Sequence, residues 1–222
     1  MKKIISIDGG KGGTGKSIVA SAVLDTALQA GKNVFLVEAD TSNPDVGKAY
    51  AEVPGAAVCL DAREGFLELA SLIHKTDAEY FVINNPARSG GWTIHGGLVV
   101  NNLERMGAEM SVLWVANRQK DSVELLTDFF SAFPGLPVWF VLNSYWGTAD
   151  KFEIWNGSKL RGKIQAAGGG EIQFPDMADR VAHAMRNARL RWDQIESLDF
   201  GELIEAERVR NEFQAAFAQL FG

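Results

Sequence analysis

The feature that most constrains this chain is a glycine-rich stretch, GGKGGTGKS at residues 9–17, which lies between an apolar run and an apolar helical pattern. Five of the seven residues from 9 to 15 are glycine, although glycine loses more conformational freedom on folding than any other residue. The chain therefore needs bare backbone at this place. Successive N–H groups without side chains can point into one cavity and approach a polyphosphate closely.

The spacing of this stretch fits a phosphate-binding pattern. Residues 10–17 match G-x-x-x-x-G-K-[ST], with a β-branched run before them and a helical pattern after them. In a loop of this kind Lys16 reaches the β- and γ-phosphates, and the Ser17 hydroxyl ligates Mg²⁺ at the positive end of the helix. We therefore predict a nucleotide site built from Gly10, Lys11, Gly12, Gly13, Thr14, Gly15, Lys16, Ser17 and Ile18.

Short apolar runs alternate with helical patterns along the chain. Runs that end in a polar residue predict strands at 3–7, 33–40, 80–86, 111–116 and 138–143. Helical patterns lie at 17–30, 65–75, 121–132, 177–192 and 202–221. This alternation predicts a three-layer, doubly wound α/β fold, in which helices flank a mostly parallel sheet. No linker or repeat interrupts the pattern, so we expect residues 1–222 to form a single domain.

The composition excludes several classes of protein. The formal net charge of the 222 residues is −6, so any binding of nucleic acid must come from a local basic patch. The single cysteine, Cys59, forms no internal disulfide and cannot alone build an iron–sulfur or zinc site. The apolar run after MKK ends at Asp8, which is too short for a signal peptide, and no run reaches membrane-spanning length. We expect a cytoplasmic protein without integral membrane association.

The loop KGGTGKS resembles the deviant Walker A motif of the ParA/MinD family of ATPases. The resemblance implies ATP or ADP with Mg²⁺ as the bound cofactors. It also implies an ATP-dependent homodimer, in which Lys11 reaches across the interface to the nucleotide of the partner. In this interpretation Lys11 and Lys16 are catalytic residues. The alternative for Lys11 is a solvated surface lysine.

Two further segments resemble the switch regions of the same family. In NVFLVEADTSNPDVG, Asp40 matches the family's aspartate near Mg²⁺ and the attacking water, which implies a catalytic and metal-binding role; Glu38 matches a second acidic position. The alternative is that Asp40 caps the turn before Pro44. In YFVINNPARSGG, Asn84 takes the place of the usual Walker B aspartate. Because an amide carries no charge, we expect weaker Mg²⁺ binding or slow hydrolysis, with Asp40 or Asp8 as the compensating acid.

The base end of the nucleotide is predicted from two later segments. In VWFVLNSYWG, Asn143 matches the family's asparagine that hydrogen-bonds the adenine amino group and N7. The segment EIQFPDMADRVAHA resembles the strand, proline and helix that close over the adenine, which implies backbone or stacking contacts from Phe174 and Pro175. The alternatives are a loop-capping role for Asn143 and a core position for the other two.

The resemblance leaves several functions open. The first is an ATP-switched dimer that partitions or positions plasmid or chromosomal DNA, or another cargo, and is stimulated by a ParB-like protein or a cargo adaptor. The second is a biosynthetic ligase of the dethiobiotin synthetase type, in which Arg88 and His95 would hold a carboxylated substrate. The third is an ATP sensor with weak hydrolysis. The lone cysteine excludes an iron–sulfur carrier.

A local basic patch would suit DNA. The segment DRVAHAMRNARLRW has an apolar stripe at helical spacing, and its arginines lie outside or at the borders of that stripe: Arg180, Arg186, Arg189 and Arg191. Arginines without intervening acids can contact phosphates without reading sequence, so non-specific DNA binding at the nucleoid is predicted. The alternative is a solvated helix face.

Overall fold

The computed structural model describes residues 1–87 and 90–221. Within them the strands are β1 (Lys2–Asp8), β2 (Val34–Glu38), β3 (Gly55–Ala57), β4 (Tyr80–Asn84), β5 (Ala108–Ala116), β6 (Val138–Asn143) and β7 (Gly170–Phe174). They form one sheet in the order β3-β2-β4-β1-β5-β6-β7, and all neighbouring strands are parallel. The strand that leads into the glycine-rich loop, β1, therefore lies at the centre of the sheet.

Helices connect the strands and cover both faces of the sheet. They are α1 (Lys16–Gln29), α2 (Asp45–Ala49), α3 (Arg63–Lys75), α4 (Gly90–His95), α5 (Gly97–Val100), α6 (Lys120–Ala132), α7 (Glu153–Asn156), α8 (Lys159–Ala166), α9 (Asp179–Ala188) and α10 (Phe200–Phe217). Short 3₁₀ helices lie at Glu104–Met106, Ser144–Trp146, Ala149–Lys151, Trp192–Ser197 and Ala218–Leu220. None of the helices in the described ranges is long and apolar enough to cross a membrane.

Two apolar layers pack against the sheet, which confirms the predicted three-layer architecture. Alternate residues of β1 enter opposite layers: Ile4 joins the layer of α3 and α6, whereas Ile5 and Ile7 join the layer of α1 and α10. Burying one such side chain contributes about 1.5–3 kcal/mol. The helix α1 is buried on most of its surface, as its nearly uninterrupted apolar sequence predicts.

The carboxyl ends of the central strands bring the candidate site together. Asn84 at the end of β4 lies in register with Ile7 of β1 on one side and with Glu38 of β2 on the other. From β1 the chain continues to β2 on one side of the sheet, whereas β5, β6 and β7 lie on the other side. In open α/β sheets, ligands bind at a switch point of this kind.

Three local predictions differ from the structure. The helix predicted at 177–192 ends at Ala188, because Arg189 adopts a left-handed conformation (φ 50°), and a 3₁₀ helix then buries Trp192. The glycine-rich segment at 166–171, for which the alternating pattern predicts neither a strand nor a helix, contains the start of β7 at Gly170. The edge strand β3 was missed, since three residues are too few to show a periodicity.

Candidate functional site

The glycine-rich loop joins β1 to α1 in a conformation that most residues avoid. Gly10, Gly13 and Gly15 have φ values of 62°, 77° and 102°. At Gly15 a Cβ atom would lie 2.4 Å from Nδ2 of Asn143, so this position requires glycine for both its conformation and its close contact. The loop thus turns tightly at the start of a helix, which is a backbone arrangement that can serve as an anion cradle.

Lys16, in the first turn of α1, folds back over the loop. The residue is only 7% exposed, and its Nζ donates a hydrogen bond to the carbonyl oxygen of Lys11 at 2.6 Å. Burial lowers the pKa of Lys16, and the negative charges of Asp8 and Asp40 oppose this shift. A buried ammonium group at an anion cradle can gain a strong charge-assisted contact when a phosphate arrives.

The other residues in and next to the loop differ in their burial and in their hydrogen bonds. Asp8 accepts hydrogen bonds from the backbone N–H groups of Gly9 (2.6 Å) and Gly10 (3.0 Å), and so fixes the first turn of the loop. Gly12 and Gly13 are exposed at the tip. The buried hydroxyl of Thr14 has no hydrogen-bond partner within the described residues.

Lys11 is held within its own chain. Its Nζ donates to Oε1 of Gln119 at 2.8 Å and forms an ion pair with Asp121 in the first turn of α6. Both side chains of the ion pair are partly exposed, at 42% for Lys11 and 37% for Asp121. The predicted contact with a partner's nucleotide stays a prediction, and it requires Lys11 to leave Asp121.

Asp40 caps its own turn, and its charge also acts on Lys16 in the candidate site. Its Oδ1 accepts hydrogen bonds from the Ser42 hydroxyl (2.8 Å) and from the Asn43 backbone (3.1 Å). Its charge also acts on buried Lys16. The capping interpretation is therefore satisfied, and the predicted catalytic and metal-binding role remains a prediction.

Glu38, which the sequence marks only as a second acidic position, is a buried hydrogen-bond acceptor in the structure. It is 4% exposed, and it accepts hydrogen bonds from Nδ2 of Asn84 (2.8 Å) and from the backbone N–H groups of Asp40 (3.1 Å) and Gly47 (2.8 Å). Burial raises the pKa of Glu38, and these hydrogen bonds oppose the shift. The signal available in the sequence was an acid at the end of a buried strand, two residues before Asp40.

The residues that are predicted to contact the base make other contacts in the structure. Asn143 is buried, and its amide donates to the carbonyl oxygen of Thr14 (2.8 Å) and accepts from the backbone of Tyr145 (3.1 Å), so it supports the loop and caps its own turn. To contact adenine as predicted, the Asn143 amide would have to share these hydrogen bonds with the base. The ring of Phe174 lies in the core against α10, which is the alternative that the sequence left open, and its contact with adenine stays a prediction. Pro175 is buried too.

A cavity of about 150 Å³ opens beside the first turn of α1. Ser17 and Ile18 line one end, and α2, α9 and the segment after α9 line the remainder. The wall is mainly apolar, with Met177, Met185 and Trp192 among its residues. The space can receive an apolar ring close to an anion that is held by the loop.

The basic segment does not form one patch. Arg191 is 16% exposed and makes ion pairs with Asp193 (2.7 Å) and Glu52 (2.9 Å), so its charge is already paired, and its contact with DNA stays a prediction. Arg186 and Arg189 line the cavity beside α1, and Arg180 is exposed.

The two residues proposed to hold a carboxylated substrate receive no support. Arg88 lies outside the described residues. His95 is half-buried, and its ring packs against Phe66 with the centroids 6.0 Å apart.

The arrangement suits Mg²⁺ only together with a nucleotide. In the described part of the chain no cluster of three His, Cys, Asp or Glu residues could hold a metal ion. Ser17 and Asp40 offer oxygen ligands near the loop, and the buried Oδ1 of Asn84 has no hydrogen-bond partner among the described residues. Mg²⁺ is usually bound by few protein oxygens plus substrate phosphates and water, and these residues fit that pattern.

Solved structures share this fold. The cell division protein MinD of Aquifex aeolicus superposes with a TM-score of 0.59, over 98% of this chain and 97% of that chain, at 11% identity. A Borrelia burgdorferi protein assigned to plasmid partition, bound to AMPPNP, superposes with a TM-score of 0.57, over 97% and 99% of the chains, at 14% identity. The fold is therefore the one that these MinD and plasmid partition structures have.

A nearer relative defines the family. Protein MobD of Acidithiobacillus ferrooxidans is 40% identical over 214 residues, which cover 95% of this chain and 94% of the relative. The chain therefore belongs to the same family as MobD. No protein-family model matches the chain.

Proposed function

We propose that this protein is an ATP-driven switch. It binds ATP with Mg²⁺, forms a homodimer, and returns to the monomer after slow hydrolysis, so that it partitions or positions DNA or another cargo. The observation that carries the proposal is the loop after β1, where three left-handed glycines and the buried ammonium group of Lys16 surround one cradle of backbone N–H groups.

Each part of the nucleotide has a proposed place. The triphosphate lies on those backbone N–H groups of residues 10–17 that Asp8 does not already bind, with Lys16 on its β- and γ-phosphates. Mg²⁺ is held by Ser17 and, directly or through water, by Asp40; it offsets the negative charge of the phosphates. The nucleoside extends into the cavity beside Ser17 and Ile18. ATP, rather than another nucleotide, is supported by the AMPPNP found in the plasmid partition structure.

Hydrolysis is proposed to be slow. Asp40 orients the attacking water, and its charge lies close enough to Lys16 to act on the pKa of that residue. The Walker B position holds a neutral amide, Asn84, so the site has one carboxylate fewer than its relatives of the ParA/MinD family. Slow turnover suits a switch, because the ATP-bound dimer must persist long enough to hold its cargo.

The cargo is the least constrained part of the proposal. Arg180, Arg186 and Arg189 are exposed cations that can contact DNA phosphates, and they support non-specific DNA binding in the cytoplasm, at the nucleoid. A ParB-like protein or cargo adaptor would stimulate hydrolysis. An ATP sensor with weak hydrolysis has the same site and differs only in lacking such a partner.

Light scattering with a slowly hydrolysed ATP analogue and Mg²⁺ tests the proposal. We expect the wild-type mass to double, and we expect Lys16→Ala to remain a monomer that binds no nucleotide. With ATP itself in place of the analogue, Asp40→Ala should stay dimeric after the wild type has returned to the monomer, because the variant cannot complete hydrolysis. Lys151→Ala, which removes an exposed lysine outside the site, is the matched control. A wild-type mass that is unchanged at saturating ATP contradicts the switch.

A further inference from the structure

The Walker B position of this chain is neutral, yet a carboxylate touches it. Asn84 is fully buried, and its Nδ2 donates to Oε1 of Glu38 at 2.8 Å. The backbone N–H groups of Asp40 and Gly47 donate to the same carboxylate, at 3.1 and 2.8 Å. With three N–H donors directed at its oxygens, Glu38 acts as an acceptor, which is the role of the ionised form.

This contact decides which way the Asn84 amide faces. An ionised carboxylate can only accept hydrogen bonds, so the amide nitrogen faces Glu38 and Oδ1 faces away from it. Oδ1 is buried and has no hydrogen-bond partner in the described part of the chain. Leaving a buried acceptor unsatisfied is unfavourable, so the atom is suited to a donor that arrives with a ligand.

The sheet places Asn84 beside the end of the strand that leads into the phosphate-binding loop. Asn84 is in register with Ile7, the residue before Asp8, where the loop begins. Ile7 packs in the same layer as Val19 and Ala20 of α1. In-register residues of parallel strands share a face, so the Asn84 side chain lies on the face that α1 covers.

We propose that Glu38 and Asn84 together replace the Walker B carboxylate. Oδ1 of Asn84 accepts a hydrogen bond from a water molecule bound to Mg²⁺, and Glu38 is a positioning residue that orients the amide and supplies the missing negative charge. The inference rests on the proposed Mg²⁺-ATP site. Because Glu38 also binds the backbone of Asp40 and Gly47, it joins the segment after β2 to Asn84.

An exchange of the two groups tests the pair. In Glu38→Gln the carboxylate is lost and two amides meet. In the double variant Glu38→Gln with Asn84→Asp, a carboxylate and an amide are again in contact, but the carboxylate is at position 84 and the amide is at position 38. The measurement is the affinity for N-methylanthraniloyl-ADP with and without Mg²⁺. We expect the ratio of the two affinities to fall by about tenfold in Glu38→Gln, which corresponds to the loss of one charge-assisted contact. We expect the double variant to recover to within about threefold of the wild type.

A matched control and a second variant complete the test. Glu171 of β7 also accepts from three N–H groups, those of Trp155 and Arg161, so Glu171→Gln makes the same chemical change outside the site and should leave the ratio unchanged. Asn84→Ala keeps the carboxylate but removes the amide oxygen, and should also lose about tenfold.

Two results would overturn the pair. One is a ratio of the affinities with and without Mg²⁺ that is the same in Glu38→Gln, or in Asn84→Ala, as in the wild type. The other is a double variant that folds, as its circular dichroism shows, but is as weak as the single variant. Binding of the probe without Mg²⁺ separates these results from failure of the proposed function, since a wild-type chain that binds no probe would contradict the nucleotide site itself.

Discussion

The ion pair between Lys11 and Asp121 allows a quantitative test of the proposed dimer. If Lys11 must cross to a partner's nucleotide, it first leaves Asp121, so Asp121→Asn should favour the ATP-bound dimer. The two side chains are 42% and 37% exposed, and a pair of this exposure contributes about 0.2–1 kcal/mol. Each dimer opens two such pairs, so the gain is about 0.4–2 kcal/mol, or roughly 2- to 30-fold in the dimerisation constant.

Sedimentation equilibrium with a slowly hydrolysed ATP analogue measures this gain. Glu124→Gln is the matched control, because it removes a carboxylate from the same helix, α6, where Glu124 pairs with Lys120. We expect Glu124→Gln to resemble the wild type. We also expect Asp121→Asn to have no effect in a Lys11→Ala background. A dimerisation constant that is unchanged or lower in Asp121→Asn, with a normal control, would refute the crossing of Lys11.

Three further predictions concern the loop and the basic segment. Gly15→Ala forces a left-handed conformation on alanine (φ 102° in the wild type), so urea denaturation should show a loss of at least about 1–2 kcal/mol, together with weaker ATP binding. Burial lowers the pKa of Lys16, so the charged lysine opposes folding below its folded pKa. In urea titrations, the stability of the wild type relative to Lys16→Met should therefore rise as the pH is raised toward 10.5, the value for the unfolded chain. If the protein binds DNA, Arg186→Ala and Arg189→Ala should each reduce the salt dependence of binding by about one unit in log–log slope, whereas Arg191→Ala, whose charge is already paired, should change it little.

The parts of the fold that the sequence predicts are those with a local pattern. Strands such as β1 and helices such as α1 show their type in neighbouring residues, and the glycine spacing at 9–15 defines the loop without reference to distant contacts. The boundaries of α9 were harder to predict. Arginine at position 189 is a helix-forming residue in propensity, yet it adopts a left-handed conformation, and the chain after it buries Trp192.

The parts of the site that sequence reasoning missed depend on contacts between distant residues. Asn143 and Thr14 are far apart in the chain, and only the order of strands brings the amide beneath the loop. Phe174 was expected beside the base, but α10 supplies the aromatic partners that hold it in the core. Neither the contact of Glu38 with Asn84 nor the ion pair of Arg191 with Glu52 leaves a pattern in the local sequence.

Backbone hydrogen exchange tests the central claim most directly, since that claim concerns the N–H groups of residues 10–17. Mass spectrometry of peptides across the whole chain, with and without saturating ATP and Mg²⁺, resolves this segment from the rest. We predict a marked slowing of exchange in the peptide that contains residues 10–17, and little change around Glu171 on β7. Saturable ATP binding that leaves exchange in residues 10–17 unaltered would contradict the phosphate cradle.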